Sequence, residues 1–179
     1  MHILFNIVAF KLTWTACVYG AVNAMPWAGP LAAAVIIAIH LALARLPLPE
    51  LQLVGLSGLM GLVFETALIQ TGLVSFAGQL ELAGLGWPPA WLLAMWLGFA
   101  TLLNVSFRFL HHRLVVAALL GAAVGPLTYL GGESLGGITF TSDRTLALVA
   151  VAVMWGIAMP VLADLGRRFD GYKRTVVAQ

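Results

Sequence analysis

The chain has 179 residues, of which 61% are hydrophobic and only 9% charged. Soluble domains carry about 25% charged residues, so this chain cannot cover itself in water-compatible side chains and reads as a membrane protein. Nine Lys and Arg against seven Asp and Glu leave a net charge of +2, too little for a phosphate-tracking surface, which excludes nucleic acid as a partner.

A transmembrane helix needs about 20 mostly apolar residues, and stretches free of Asp, Glu, Lys and Arg locate the spans at 12–44, 82–107, 114–132 and 145–163. The first stretch is too long for one helix and is broken by Pro26 and Pro30, so it reads as a hairpin of two. The predicted spans are 3–24, 30–45, 51–73, 88–110, 113–130 and 145–165. The fold class is therefore all-α: one domain over residues 1–179, a polytopic bundle of six transmembrane helices. Val22-Asn23-Ala24 has the small residues of a cleavage site, but no basic segment precedes it and Lys11 interrupts the apolar run, so helix 1 is expected to be retained. Of the loops, Val74–Trp87 alternates polar and apolar residues and is expected along the membrane surface, while Gly131–Arg144 caps the bundle or folds back into it. Gly55, Gly58 and Gly61, and the pair Gly121 and Gly125, have the spacing of close helix packing. The single cysteine, Cys17, allows no internal disulfide, and no Cys/His cluster calls for a metal. No cofactor is expected.

Six spans put both termini on one side. That side collects Arg45, Arg108, Arg113, Arg167, Arg168, Lys173 and Arg174, against Arg144 alone on the other, which predicts cytoplasmic termini.

Ionisable residues inside a span cost roughly 2.5 to 3.5 kcal/mol at the helix centre and usually face the bundle. Lys11 and Glu65 are the two clear cases. Counting ~1.5 Å per residue from the cytoplasmic ends places them ~12 Å and ~21 Å deep, so both are expected to face inward, with a Lys11–Glu65 pair left open. Nearer that face lies a polar layer from helices 1, 2, 4 and 6: Asn6, His40, Asn104, Ser106, Arg108 and Asp164. Its convergence would make a pocket in the inner leaflet. Adjacent His111 and His112 point about 100° apart on a helix, so a turn explains them better than a metal.

Further residues carry a family resemblance. Phe5-Asn6, Trp14-Thr15-Ala16-Cys17-Val18 with Gly20, Trp91, the run Trp96-Leu97-Gly98-Phe99-Ala100-Thr101-Leu102-Leu103-Asn104-Val105-Ser106, Gly125-Pro126-Leu127-Thr128-Tyr129 with Gly132, Leu135-Gly136, Trp155-Gly156 and Pro160 form one pattern along the chain. It resembles a family of small bacterial inner-membrane proteins known only as a domain of unknown function, number 2878. The family often has Gly-Gly-Pro where this chain has Val124-Gly125-Pro126. The resemblance implies a multi-pass inner-membrane location, and an association with genes of lipid modification and photo-oxidative stress. Asn6, Trp14, Asn104, Ser106, Pro126 and Tyr129 are the matching positions; Lys11 and Glu65 come from burial cost alone.

Together these readings name Asn6, Lys11, Trp14, His40, Glu65, Asn104, Arg108 and Tyr129 as candidate ligand-binding residues. The expected function is binding of a lipid or apolar small molecule, as a transport or accessory factor in envelope lipid physiology. The alternatives are an intramembrane enzyme acting on a lipid-like substrate, with Lys11, His40 or Glu65 handling a proton, and a scaffold subunit of a membrane complex. A homo-oligomer or a membrane partner stays open alongside the bilayer itself.

Overall fold

The computed structural model describes residues 2–141 and 143–173; Arg174, counted above among the positive charges, lies outside them. Six α-helices are described: α1 (Ile3–Val22), α2 (Ala28–Leu43), α3 (Pro47–Gln70), α4 (Ala90–Leu103), α5 (Leu114–Ser134) and α6 (Arg144–Arg168). Of these, α1, α3, α5 and α6 are long and apolar enough to cross a membrane. With 16 and 14 residues, α2 and α4 rise only ~24 and ~21 Å, less than the ~30 Å of a hydrocarbon core.

Two of the boundaries that differ from expectation bear on the site, each for a local reason. The span expected over 88–110 is helical only as far as Leu103, and a turn with a short 3-10 segment at Arg108–Leu110 follows. Asn104 and Ser106 give their side chains to tertiary hydrogen bonds there, which compete with helix continuation. At the other boundary, α3 starts at Pro47 instead of Leu51. Proline suits the first helical positions because its missing N–H has no partner to lose, and the earlier start brings Glu50 into the first turn of α3.

The loops opposite the chain ends hold strands that the all-α reading did not include. β1 (Val74–Phe76) pairs antiparallel with β4 (Ile138–Phe140), and β2 (Leu80–Leu82) with β3 (Leu85–Trp87). The β2–β3 turn places both Ala83 and Gly84 at positive φ, 54° and 75°, the geometry of a two-residue hairpin. Val74, Phe76 and Ile138 turn inward and are buried, so the β1–β4 pair closes that end of the bundle, the distal end.

Large apolar side chains point outward along the helices, among them Leu31, Val35 and Ile39 of α2, Leu119 and Leu127 of α5, and Val149, Val153 and Ile157 of α6. Such a continuous apolar exterior suits hydrocarbon and not water. Inside, α4 packs against α1, α2 and α3, while α5 and α6 pack chiefly on each other. Gly121 and Gly125 of α5 seat Trp155 of α6 so closely that a Cβ at Gly125 would lie 2.6 Å from Trp155 Cγ. α6 touches α3 and α4, whereas α5 has almost no direct packing on α1 or α4. The molecule is thus a four-helix group and a two-helix hairpin with a gap along one side of their junction.

Candidate functional site

A cavity of about 200 Å³ occupies that gap. Phe10 and Trp14 of α1, Trp96 and Phe99 of α4, Val124 and Tyr129 of α5 and Trp155 of α6 form much of its wall. Its one charged lining side chain among the described residues is Glu65 of α3.

Glu65 is only 1% exposed, and its carboxyl oxygens take two donors from two other helices. Trp96 Nε1 donates to Oε1 at 2.8 Å, and Tyr129 Oη lies 2.8 and 2.7 Å from Oε1 and Oε2. The Trp96 ring stacks on Trp155, centroids 4.7 Å apart and planes 13° apart. Four helices therefore meet on one cluster: Glu65 from α3, Trp96 from α4, Tyr129 from α5 and Trp155 from α6. Ser57 supports it from below by donating to the Trp96 carbonyl at 2.7 Å. The result is a carboxyl set into an aromatic wall and facing a small apolar space.

Lys11 is not its partner. The side chain lies on the outer face of α1, exposed, with Nζ 4.4 Å from the centroid of Trp14. The expectation that Lys11 faces inward is corrected. A four-carbon stem can carry the ammonium along the helix toward the membrane surface, and the Trp14 face offers it a cation–π contact on the way.

The polar layer converges as expected, near the end of the bundle where α1 starts and α6 finishes, the proximal end. It is filled, however, and does not form an open pocket. The stretch Phe169–Lys173 after α6 folds back as a strap across it. Glu50, fully buried, accepts from His40 Nε2 at 2.7 Å, Asn104 Nδ2 at 2.8 Å and the Gly171 N–H at 2.6 Å. Asn104 also donates to the Phe169 carbonyl at 2.9 Å, and Tyr172 Oη donates to the His40 carbonyl at 2.6 Å. The Gly171 carbonyl accepts from the backbone of Arg45 and Leu46. Arg108 pairs with Asp170 at 2.7 Å and donates through Nε to the Asn104 carbonyl. Beside this knot, Asn6 donates to the Thr101 carbonyl at 3.1 Å and accepts from Ser106 at 2.5 Å, tying α1 to the end of α4. Asp164 stays outside, paired with Arg167 and Arg168.

The candidate residues thus divide in three. Trp14, Glu65 and Tyr129 line the cavity; Asn6, His40, Asn104 and Arg108 belong to the proximal knot; Lys11 faces outward. Trp96, Trp155, Glu50, Asp170 and Tyr172 were missed. Trp96 stood in the most specific run of the family pattern, and Glu50 was hidden by its place between Pro49 and the first apolar run of helix 3. His111 forms part of a turn: its Nε2 lies 3.0 Å from the Leu103 carbonyl, capping the end of α4, and burial holds its imidazole below the usual histidine range. With its ring shared with a backbone carbonyl and its neighbour His112 exposed, the pair is structural. Outside the membrane-spanning helices, burial and then the nearby Glu50 carboxylate push the Tyr172 phenol up to about 12.

Fold and site define a helical protein of membrane-spanning character whose apolar exterior encloses a small cavity with one acidic side chain. The family described as "Protein of unknown function (DUF2878)" matches residues 3–161, and the chain belongs to it. No curated protein and no solved structure matches the chain. The family match stops before the strap. Among residues of the family pattern, Trp14, Trp91, Trp96, Phe99, Gly125, Tyr129, Gly132 and Trp155 all line the cavity, whereas Asn6, Asn104 and Ser106 form the floor of the knot.

Proposed function

We propose that the chain is a multi-pass protein of the bacterial inner membrane, with six spans and cytoplasmic termini, that holds a lipid chain or apolar small molecule in the cavity between α1 and α5. Its role would be that of a transport or accessory factor in envelope lipid physiology. The observation that carries this reading is the apolar cavity itself, placed where two packed groups of helices fail to meet. A space of this kind costs packing energy in an empty protein, about 24 cal/mol per Å³ of cavity, and an apolar ligand recovers that loss. The ligand set shrinks from the sequence-based list to Trp14, Glu65 and Tyr129, with Trp96 and Trp155 added.

Native mass spectrometry of the protein purified from its own membrane tests the reading. The expected result is a small molecule leaving the wild-type protein on activation, and none leaving Val124→Trp, whose indole fills the gap. Release of no small molecule from correctly folded wild type, or of a second protein in its place, would favour the scaffold alternative. Orientation is checked separately: a reporter fused after Gln179 is active only in the cytoplasm, and one inserted near Gly137 only outside.

A further inference from the structure

The polar groups in the cavity wall are few enough to specify the ligand's head. A carboxyl group has more acceptor sites than two donors fill, and Glu65 takes hydrogens only from Trp96 and Tyr129. Acceptor capacity is left over. Close by, the indole N–H of Trp155 lies beside the Tyr129 hydroxyl yet is buried without a hydrogen-bond partner among the described residues. A buried donor left unmade is a standing cost until some acceptor reaches it. The wall therefore offers a free acceptor, and just behind its surface, next to Tyr129, a free donor.

A hydroxyl answers both, since it donates one hydrogen and accepts others. An ester or ether oxygen satisfies only the indole, and an ammonium only the carboxylate. A phosphate head is unsuited, because no Lys, Arg or His among the described residues lines the cavity.

Size and opening set the rest. A cavity of about 200 Å³ holds about seven groups of water size, at ~30 Å³ each, so a long chain does not fit whole. Leu120 and Val124 of α5 belong to the cavity wall and are also 39% and 48% exposed on the outer surface. The cavity thus opens sideways, between α5 and α1, toward the surrounding hydrocarbon.

Resting on the ligand-binding reading above, we propose that the cavity takes a single-hydroxyl amphiphile, such as a long-chain or isoprenoid alcohol, head first from the bilayer. The hydroxyl donates to Glu65 and accepts from Trp155, and the tail leaves between α1 and α5.

The test compares 1-hexadecanol, its methyl ether and dipalmitoyl phosphatidylglycerol, each added at equal mole fraction to the full-length protein in detergent micelles, with bound molecules counted by native mass spectrometry. One hexadecanol per protein, bound at least tenfold more tightly than the ether, is expected. Glu65→Gln should narrow the alcohol's advantage several-fold and leave ether binding unchanged, whereas Trp155→Phe, which removes the donor that both oxygens use, should weaken alcohol and ether alike. Val124→Trp should abolish both. Equal binding of alcohol and ether, or preference for the phospholipid, overturns the hydroxyl assignment while the cavity reading stands. Binding of none of the three overturns both. If Glu65→Gln or Trp155→Phe fails to accumulate, the wild-type preference for alcohol over ether decides the matter alone.

Discussion

Replacing Glu50 by Leu should destabilise the protein more than any other single loss of charge. The carboxylate is fully buried and accepts from His40, Asn104 and the Gly171 N–H, so the substitution strands three donors from three segments of chain. Each buried donor left unsatisfied costs ~1–3 kcal/mol. Asn104 keeps its bond to Phe169, and the strap can loosen to admit water, which brings the total toward the 3–5 kcal/mol typical of breaking a buried pair. At about 2–4 °C per kcal/mol for a chain of this size, thermal unfolding in detergent should fall by roughly 6–20 °C. Glu133→Gln is the control: its partner Arg144 and it are 59% and 31% exposed, and a surface pair contributes no more than about 1 kcal/mol. His40→Leu together with Glu50→Leu should cost less than the two single changes added, with a coupling of about 0.5–3 kcal/mol. A Glu50→Leu protein that melts within about 2 °C of wild type, like Glu133→Gln, would refute the knot as an energetic anchor.

The helix hairpin gives a second test: Gly125→Ala should cost about 1–3 kcal/mol by overpacking because its Cβ meets Trp155, whereas Gly55→Ala, with nothing within 4 Å, should be neutral or stabilising by up to ~1 kcal/mol; thermal melts separate them. Lys11→Met should accumulate normally, lose no more than about 1 kcal/mol with its exposed cation–π contact, and retain ligand as wild type does; loss of ligand in this variant would place Lys11 in the site after all. High pH should release the strap, since Tyr172 is held protonated in the fold more strongly than in an unfolded chain. The folded phenol titrates near 12 against an ordinary 10, so the folded state binds more protons between those values, and the contribution is complete below about pH 10 and lost as pH rises toward 12. Limited proteolysis after Phe169 should accelerate across that window, and Tyr172→Phe should remove the dependence.

Much of the helical frame was legible because lipid imposes one loud constraint, a long apolar run for each crossing. The ends of α5 and α6 lie within a few residues of those expected, save that α5 runs on to Ser134. Where the sequence misled, polar side chains had tertiary partners that no local pattern announces. Asn104 ends α4 because Glu50 and Phe169, 54 and 65 residues away, claim its amide. β1 and β4 were read as loops because each has only three residues and the whole of α4 and α5 separates them, so the alternation over Val74–Trp87 pointed to the membrane surface and not to a strand partner. Glu65 was found for a physical reason, the cost of burying a carboxyl. Its partners were not, because indole and phenol donors look like ordinary apolar packing until a fold aims them. Lys11 was misjudged for the converse reason: cost arguments place a charge away from hydrocarbon, but a long flexible side chain satisfies that demand by reaching along its own helix.

The two anchors and the cavity belong to one arrangement. The α5–α6 hairpin is fastened to the other four helices at the distal end by β1–β4 pairing and at the proximal end by the strap, where Glu50, Asn104 and Gly171 meet. Between these ends the junction depends on α6 and on the Glu65 cluster, while α5 stands off from α1 and α4. Both fasteners are hydrogen-bonded, the distal one through backbone and the proximal one mostly through side chains, so they fix position without requiring apolar contact at mid-depth. Helices in a bilayer gain little from mutual hydrophobicity, because lipid tails are as apolar as the side chains they replace, and a gap there is less costly than the same gap in a water-soluble core. That difference lets the chain keep a lateral opening beside α5 without losing the fold. It also confines the polar chemistry facing that opening to the few groups that span the junction, Glu65, Trp96, Tyr129 and Trp155, so that changes there should alter what enters the gap more than whether the helices assemble.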